Sequence, residues 1–144
     1  YTYSPPMAVA PLPQVRAVLD YAVSEIEPSK IFLGIPIYGY DWALPYEQGV
    51  SKAESISPLQ AVARAVQYGA EIYFDETARA PYFNYVGRSG RDHIVWFEDA
   101  RSIKEKLLLV NEYNLQGVGY WNLMRPFPQN WAVLSGLYYV ETLL

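Results

Sequence analysis

The 144-residue sequence contains no cysteine and only one histidine, His93. The absence of cysteine excludes disulfides, thiolate zinc sites and cysteine nucleophiles, but it leaves the compartment open because many secreted bacterial proteins also lack cysteine. One histidine argues against a histidine-rich metal site or a Ser-His-Asp triad. We therefore predict no metal and no cofactor, and we expect His93 to lie on a strand surface or in a polar network.

The chain also lacks the features of several other protein classes. No uninterrupted apolar run approaches the ~20 residues of a membrane-spanning helix. The formal net charge of −4 gives no basic footprint for nucleic acid. We find no glycine-rich phosphate loop, no G-x-S-x-G elbow and no H-E-x-x-H motif. Membrane-spanning, nucleic-acid-binding and these motif-defined enzyme classes are therefore not expected.

Aromatic residues are abundant instead, at 16% of the chain with 14 tyrosines and 4 tryptophans. Tyrosine and tryptophan combine an apolar ring with a polar group that needs a partner when buried. Such rings suit a surface that stacks on a partly apolar, hydroxyl-rich ligand, and carbohydrate is the first candidate. A tyrosine-rich core and rim without any ligand is the alternative, and composition alone favours it.

Apolar spacing and capping residues predict four helices. Pro13 and Pro28 flank the first, Ser57 and Gly69 bound the second, Asp99 caps the third, and the fourth covers roughly 129–143. The positions expected to be buried are Val15, Val18, Leu19, Ala22, Val23 and Ile26, then Leu59, Val62, Ala63 and Val66, then Ile103, Leu107 and Val110, then Trp131, Leu134, Tyr138 and Leu143.

Two segments are typical of central parallel strands. Residues 31–37 are apolar on both faces, the pattern of a buried parallel strand, and Pro36 is expected to end the ladder before a loop at 38–42. Residues 117–123 form the second. Between them, three strand-like stretches (71–74, 82–86 and 93–97) predict a small α+β insertion.

The order of helix, strand, insertion, helix, strand and helix indicates an α/β fold, either a doubly wound sheet or a β/α barrel. Two strands cannot close a barrel, which needs eight. Barrel active sites lie at the carboxyl ends of the strands. Trp121 is the best single candidate there, because an indole beneath a sugar ring excludes water from its apolar face. A tryptophan of the core is the alternative.

Acidic pairs at 75–76 and 98–99 do not suggest a catalytic dyad. Glycosidases usually place two carboxyl groups across the scissile bond, whereas sequence neighbours on a strand point to opposite faces. We expect Asp75 and Glu76 to form a solvated turn and Asp99 to cap a helix, and the pattern leaves both orientations of Glu98 open.

Several segments together resemble glycoside hydrolase family 18. Residues 30–39, with the pattern Lys-(apolar)3-Gly-(apolar)-Pro-x-Tyr-Gly, are similar to its seventh barrel strand. Residues 117–123 are similar to its eighth, which ends in the tryptophan that floors the central sugar subsite. Residues 80–85 and 96–106 resemble its insertion domain and the start of the helix that follows. Residues 1–11 resemble the loop after its sixth strand. Residues 40–42 and 121–131 are most similar to the branch acting in bacterial spore germination.

This resemblance implies that the chain, 1–144, is the C-terminal part of such an enzyme. It would hold part of a (β/α)8 TIM barrel, namely strands seven and eight with their flanking helices, and residues 43–98 would be the α+β insertion. The implied substrate is an N-acetylglucosamine-containing glycan, spore-cortex peptidoglycan or a chitin-like polymer, in an extracytoplasmic setting such as the spore envelope or cell wall. The residues implied to bind it are Trp121, Tyr38, Tyr40, Asp41, Trp42 and Asn122.

The sequence departs from the family at two points. The catalytic signature Asp-x-x-Asp-x-Asp-x-Glu has no match here, so no catalytic residue is predicted and the isolated chain is expected to be inactive. Tyr40 stands where the family usually has an arginine, which is expected to affect the preference for chitin. A non-catalytic carbohydrate-binding module or a structural domain remains the alternative. Because two barrel strands alone have bare edges, we expect self-association or swapping of elements.

Overall fold

The structure, a computed structural model, describes residues 2–140. It is a mixed α/β fold, as predicted, and no helix within that range is long and apolar enough to cross a membrane. The elements in chain order are α1 (Leu12–Glu25), β1 (Phe32–Pro36), β2 (Gly39–Ala43), β3 (Glu54–Ile56), α2 (Pro58–Tyr68), β4 (Tyr73–Asp75), β5 (Ala80–Val86), β6 (Asp92–Trp96), α3 (Ala100–Glu112), β7 (Gly117–Trp121) and α4 (Pro128–Leu137).

The two segments expected to be central strands form a parallel pair. β1 and β7 are in register from Phe32 opposite Gly117 to Pro36 opposite Trp121, and the β1 ladder ends at Pro36 as predicted. One face packs on α3 and α4, with Ile35 among the buried residues. The other face is open within residues 2–140, and Phe32 is exposed. Burial on both faces, expected from the apolar run, is therefore seen on one face only.

A five-stranded antiparallel sheet in the order β3-β2-β6-β5-β4 makes up the second layer. It corrects the prediction of a loop at 38–42, because 39–43 is strand β2, paired with both β3 and β6. Gly39 allows this strand to approach the end of β6, since a Cβ there would lie 2.5 Å from the Cβ of Phe97. The sheet thus begins at Gly39, whereas the insertion boundary of 43–98 stays a prediction.

Helix α2 has the predicted ends but the opposite buried face. Ser57 accepts from the Gln60 backbone N–H in a capping box, and Gly69 ends the helix in the left-handed conformation. The buried residues are Pro58, Ala61 and Ala65, whereas the predicted stripe contains exposed Leu59, Val62 and Val66. Small alanine side chains let the helix lie close to the sheet, so a preference for the larger residues was the wrong criterion.

The remaining helices agree in part with the prediction. In α1 Leu19 is buried, but Val18 and Ile26 are exposed. Asp99 caps α3 through the Arg101 and Ser102 backbone N–H groups, as predicted. Helix α4 ends at Leu137 rather than near 143, and the predicted core position Leu143 lies outside the described residues. Trp131, also expected in the core, is partly exposed, at 43% of its surface, whereas Asn130 is fully buried.

The buried alanine face of α2 gives a direct stability test. Ala65→Leu should destabilise the chain by about 1–3 kcal/mol, because the added atoms overpack the contact with the sheet. Val66→Ala is the control, because Val66 is the next residue of the helix and is 77% exposed. It should change stability by less than about 0.5 kcal/mol. Urea unfolding of both variants measures the difference, and equal losses would contradict the assigned helix face.

Candidate functional site

The carboxyl ends of β1 and β7 lie side by side. Pro36 is paired with Trp121, and the Ile37 backbone N–H donates to the Trp121 carbonyl at 3.0 Å. The chain then continues into Tyr38 on one side and Asn122 on the other. Parallel pairing therefore brings Tyr38, Trp121 and Asn122 to one end of the strand pair. The other three predicted binding residues, Tyr40, Asp41 and Trp42, lie on β2, the strand that leaves it.

Trp121 is the most exposed of these side chains, at 71% of its surface. It lies on the open face of the β1–β7 pair, whereas the neighbouring Tyr120 faces α4 and meets Trp131 edge to face at 5.1 Å between ring centroids. The indole is thus not part of the core. Its exposed ring offers an apolar surface on which a flat or ring-shaped ligand can stack.

Tyr38, Tyr40 and Trp42 form a row of rings that leads from β1 into β2. Each neighbouring pair lies 5.5 Å apart in an edge-on arrangement. Tyr38 and Tyr40 are half-buried, but Trp42 is only 1% exposed and its indole N–H donates to the Ser4 carbonyl at 2.9 Å. Trp42 therefore packs against Tyr40 and supports the row, and almost none of its ring is exposed to solvent.

The N-terminal segment, residues 2–12, is hydrogen-bonded to strand β2 and to residues that flank the outer strands of the sheet. The Thr2 carbonyl accepts from the Ala53 N–H at 2.7 Å, and Ser4 accepts from Trp42. At the other end, the Leu12 N–H donates to the Ala78 carbonyl at 2.9 Å. A cavity of about 150 Å³ remains beneath it, lined by Ser4, Met7, Ala8, Val9, Tyr40 and Trp42.

Asp41 points to the opposite face of β2, away from that row. Its carboxylate is buried and accepts from Arg64 of α2 and from the Tyr85 hydroxyl of β5 at 2.6 Å, and Nδ1 of His93 in β6 lies 2.7 Å away. Burial, helped by the bond to Asp41, raises the pKa of the Tyr85 hydroxyl. Arg64 also donates a hydrogen bond to the carboxylate of Glu54 in β3. Asp41 is therefore the centre of a polar network that joins α2 and four strands, and His93 lies in a network as predicted.

The other carboxylates expected from sequence serve structural roles. Glu98 is fully buried, where burial raises its pKa, and it accepts from Lys106 at 2.9 Å. Asp75 accepts from the Thr77 and Ala78 backbone N–H groups in the predicted turn. Over residues 2–140 no group of three acidic or histidine side chains is placed to hold a metal ion. Within this range, the described geometry offers no acid–base pair facing the exposed indole.

Known proteins resemble the chain closely enough to show its family. The model of glycosyl hydrolases family 18 matches residues 5–125. The chain belongs to this family. It is 50% identical over 135 residues to the cortical fragment-lytic enzyme of Bacillus subtilis, covering 94% of the chain and 31% of that protein. The resemblance seen in the sequence is therefore confirmed.

Solved structures of family 18 share the fold. The spore cortex-lytic enzyme SleL of Bacillus megaterium matches with a TM-score of 0.94 and 48% identity, over 99% of this chain and 34% of that one. A chitinase of Chromobacterium violaceum matches with a TM-score of 0.87 and 33% identity, over 97% of this chain and 43% of that one. The chain thus spans about a third of the length of the spore-lytic relatives it matches.

Sequence reasoning assigned no role to Arg125, although it lies in the segment 121–131 used for the resemblance. In the structure Arg125 is half-buried, and its Nη1 has no hydrogen-bond partner within residues 2–140. An arginine four residues after the candidate stacking tryptophan was the available signal.

The network around Asp41 predicts a measurable loss of stability. Asp41→Asn keeps the shape but removes the charge that Arg64 and Tyr85 contact, so we expect a loss of about 1.5–3 kcal/mol. Asp92→Asn, an exposed aspartate on β6, is the matched control and should stay within about 0.5 kcal/mol of the parent chain. Thermal or urea unfolding measures the difference in stability. If Asp41→Asn left the stability unchanged, the network would be contradicted.

Proposed function

We propose that this chain forms the sugar-stacking part of the cleft of a glycoside hydrolase that acts on an N-acetylglucosamine-containing glycan. The exposed indole of Trp121 carries the proposal, because it lies at the carboxyl end of a parallel strand, where β/α enzymes place their sites. Tyr38, Tyr40 and Asn122 are the further contact residues. Asp41 and Trp42 are both buried, so in this proposal they hold β2 in place and do not contact the sugar.

The proposed architecture is a part of a (β/α)8 barrel. In this proposal β1 and β7 are its seventh and eighth strands, and the open face of the pair, with Phe32 and Trp121, looks into the barrel. Residues 43–98 form the α+β insertion, entered through β2. Two observations support this: the parallel β1–β7 register, and the length of the relatives, about three times that of the chain.

Chemistry is divided in this proposal between the chain and the rest of a longer protein. The chain stacks and orients the sugar, while the proton donor comes from outside, since no residue here matches the family's acidic signature. In the family the acetamido oxygen of the substrate acts as nucleophile and one glutamate is the acid/base. Loss of a general acid/base removes about 10²–10⁴ in rate, so the chain alone is expected to be inactive.

Spore-cortex peptidoglycan is the proposed natural glycan, which implies an extracytoplasmic site of action at the spore envelope. The names of the relatives support this, since two of them are described as cortical fragment-lytic and spore cortex-lytic enzymes. A chitin-like polymer is the nearest chemical relative of that substrate, and an N-acetylglucosamine trimer is a short, soluble piece of it.

Titration with an N-acetylglucosamine trimer tests the stacking site. Trp121→Ala should abolish the change in tryptophan fluorescence that the trimer causes in the parent chain. Because the ring is mostly exposed, unfolding free energy should fall by about 1 kcal/mol or less rather than the ~3–5 kcal/mol of a core aromatic.

Trp131→Ala is the matched control, because Trp131 is also partly exposed but contacts Tyr120 on the helix side of β7. It should leave binding intact. Binding without cleavage in any longer form of the protein would favour a carbohydrate-binding module. A large stability loss in Trp121→Ala, with no sugar effect, would favour a structural domain.

We also propose that the isolated chain associates with itself. Over residues 2–140, β1 and β7 pair only with each other, so their outer edges are free to accept another strand. Light scattering over a concentration series should show dimers or larger species. A monomer that persists at all concentrations would overturn this expectation.

A further inference from the structure

Several buried polar atoms without a hydrogen-bond partner lie in the segment that contains and follows the candidate stacking residue. Residues 2–140 contain seven buried side-chain nitrogen or oxygen atoms without a hydrogen-bond partner, and five of them lie between residues 120 and 130. These are the Tyr120 hydroxyl, Asn122 Oδ1, Arg125 Nη1 and both polar atoms of the Asn130 side chain. Tyr120 faces α4 and interacts with Asn130 of that helix. Native proteins leave few buried polar atoms without a partner, so the two that call for one here are Asn122 Oδ1 and Arg125 Nη1, in the turn after Trp121.

Arg125 is the only charged member of that group. The other partly buried arginines in the described chain are all paired: Arg16 with Glu112, Arg64 with Asp41 and Glu54, and Arg79 with Glu76 and Glu105. Arg125 has no ion pair with any residue from 2 to 140. A guanidinium that is partly removed from water and has no anion is unfavourable unless an anion arrives.

Arg125 lies in the turn that follows Trp121. Its backbone N–H donates to the Asn122 carbonyl at 3.3 Å, which closes the turn. Asn122 also contributes an acceptor without a donor, its Oδ1. A single turn therefore holds a cationic donor and a neutral acceptor directly after the exposed indole.

We propose that Arg125 recognises a carboxylate carried by the saccharide that stacks on Trp121, so that the preferred substrate is an acidic amino sugar rather than a neutral one. This inference rests on the proposed function. A carboxylate matches the planar guanidinium with two parallel hydrogen bonds, whereas a neutral carbonyl or hydroxyl satisfies one donor and leaves the charge unpaired.

A pair of probes that differ only in charge tests the proposal. One is an N-acetylglucosamine–N-acetylmuramic acid disaccharide with its free lactyl carboxylate, and the other is its methyl ester. Binding of each to the full 144-residue chain is measured by tryptophan fluorescence or calorimetry. The free acid should bind more tightly than the ester by about tenfold or more, and added salt should reduce the difference.

Arg125→Gln should weaken binding of the acid by about tenfold to a hundredfold and leave the ester almost unchanged. Arg125→Lys keeps the charge but loses the two-point contact, so its affinity for the acid should fall between the two. Arg88→Gln, an exposed arginine in the β5–β6 turn, is the control for net charge and should affect neither probe. Circular dichroism checks that each variant is folded.

Two results would overturn the proposal: equal binding of acid and ester by the parent chain, or an equal effect of Arg125→Gln on both probes. Either would mean that Arg125 serves another purpose, such as pairing with a carboxylate of a neighbouring polypeptide segment. Failure of the proposed function itself looks different, because then neither probe binds the parent chain and Trp121→Ala changes nothing.

Discussion

The hydrogen-bond register between β1 and β7 is the constraint on which the candidate site depends. In a strand, neighbouring side chains point to opposite faces, so the pairing of Pro36 with Trp121 decides which aromatic ring faces outward. With this register Trp121 lies on the open face and Tyr120 packs toward α4. A shift of one residue would reverse the two and place a phenol where the indole is now.

Strand β2 carries the second half of the site by using its two faces differently. Tyr40 and Trp42 lie on the face that meets the N-terminal segment, whereas Asp41 lies between α2 and the sheet. The buried carboxylate fixes the strand laterally through β5, β6 and α2. The positions of the aromatic rings on one side are thus maintained by polar contacts on the other, which explains why adjacent residues of one short motif have unrelated surroundings.

Much of the fold could be read from the sequence where local chemistry decides the outcome. Ser57, Gly69 and Asp99 bound helices as predicted, because capping depends on a few neighbouring atoms. The buried face of α2 could not be read in the same way. The orientation of α2 depends on how closely the sheet can approach. The face with the small residues Ala61 and Ala65 packs on the sheet, and the face with the larger apolar residues does not.

The candidate site shows the same division. Trp121 at the end of a strand was predictable because strand and motif are local, but the burial of Asp41 was not, since Arg64, Tyr85 and His93 come from distant parts of the chain. The strand character of 39–43 was missed for a related reason. Its pairing partners, β3 and β6, come later in the sequence, so the residues of β2 alone do not indicate that they pair with them.

The three hydrogen bonds that attach residues 2–12 to the antiparallel sheet have a mechanical consequence. They join the sheet at Ala53, Trp42 and Ala78, so the segment bridges both ends of the layer and runs directly into α1. The sheet therefore cannot hinge independently of that helix without breaking at least one of these bonds. The sheet, the N-terminal segment and α1 are therefore expected to move together as one rigid body.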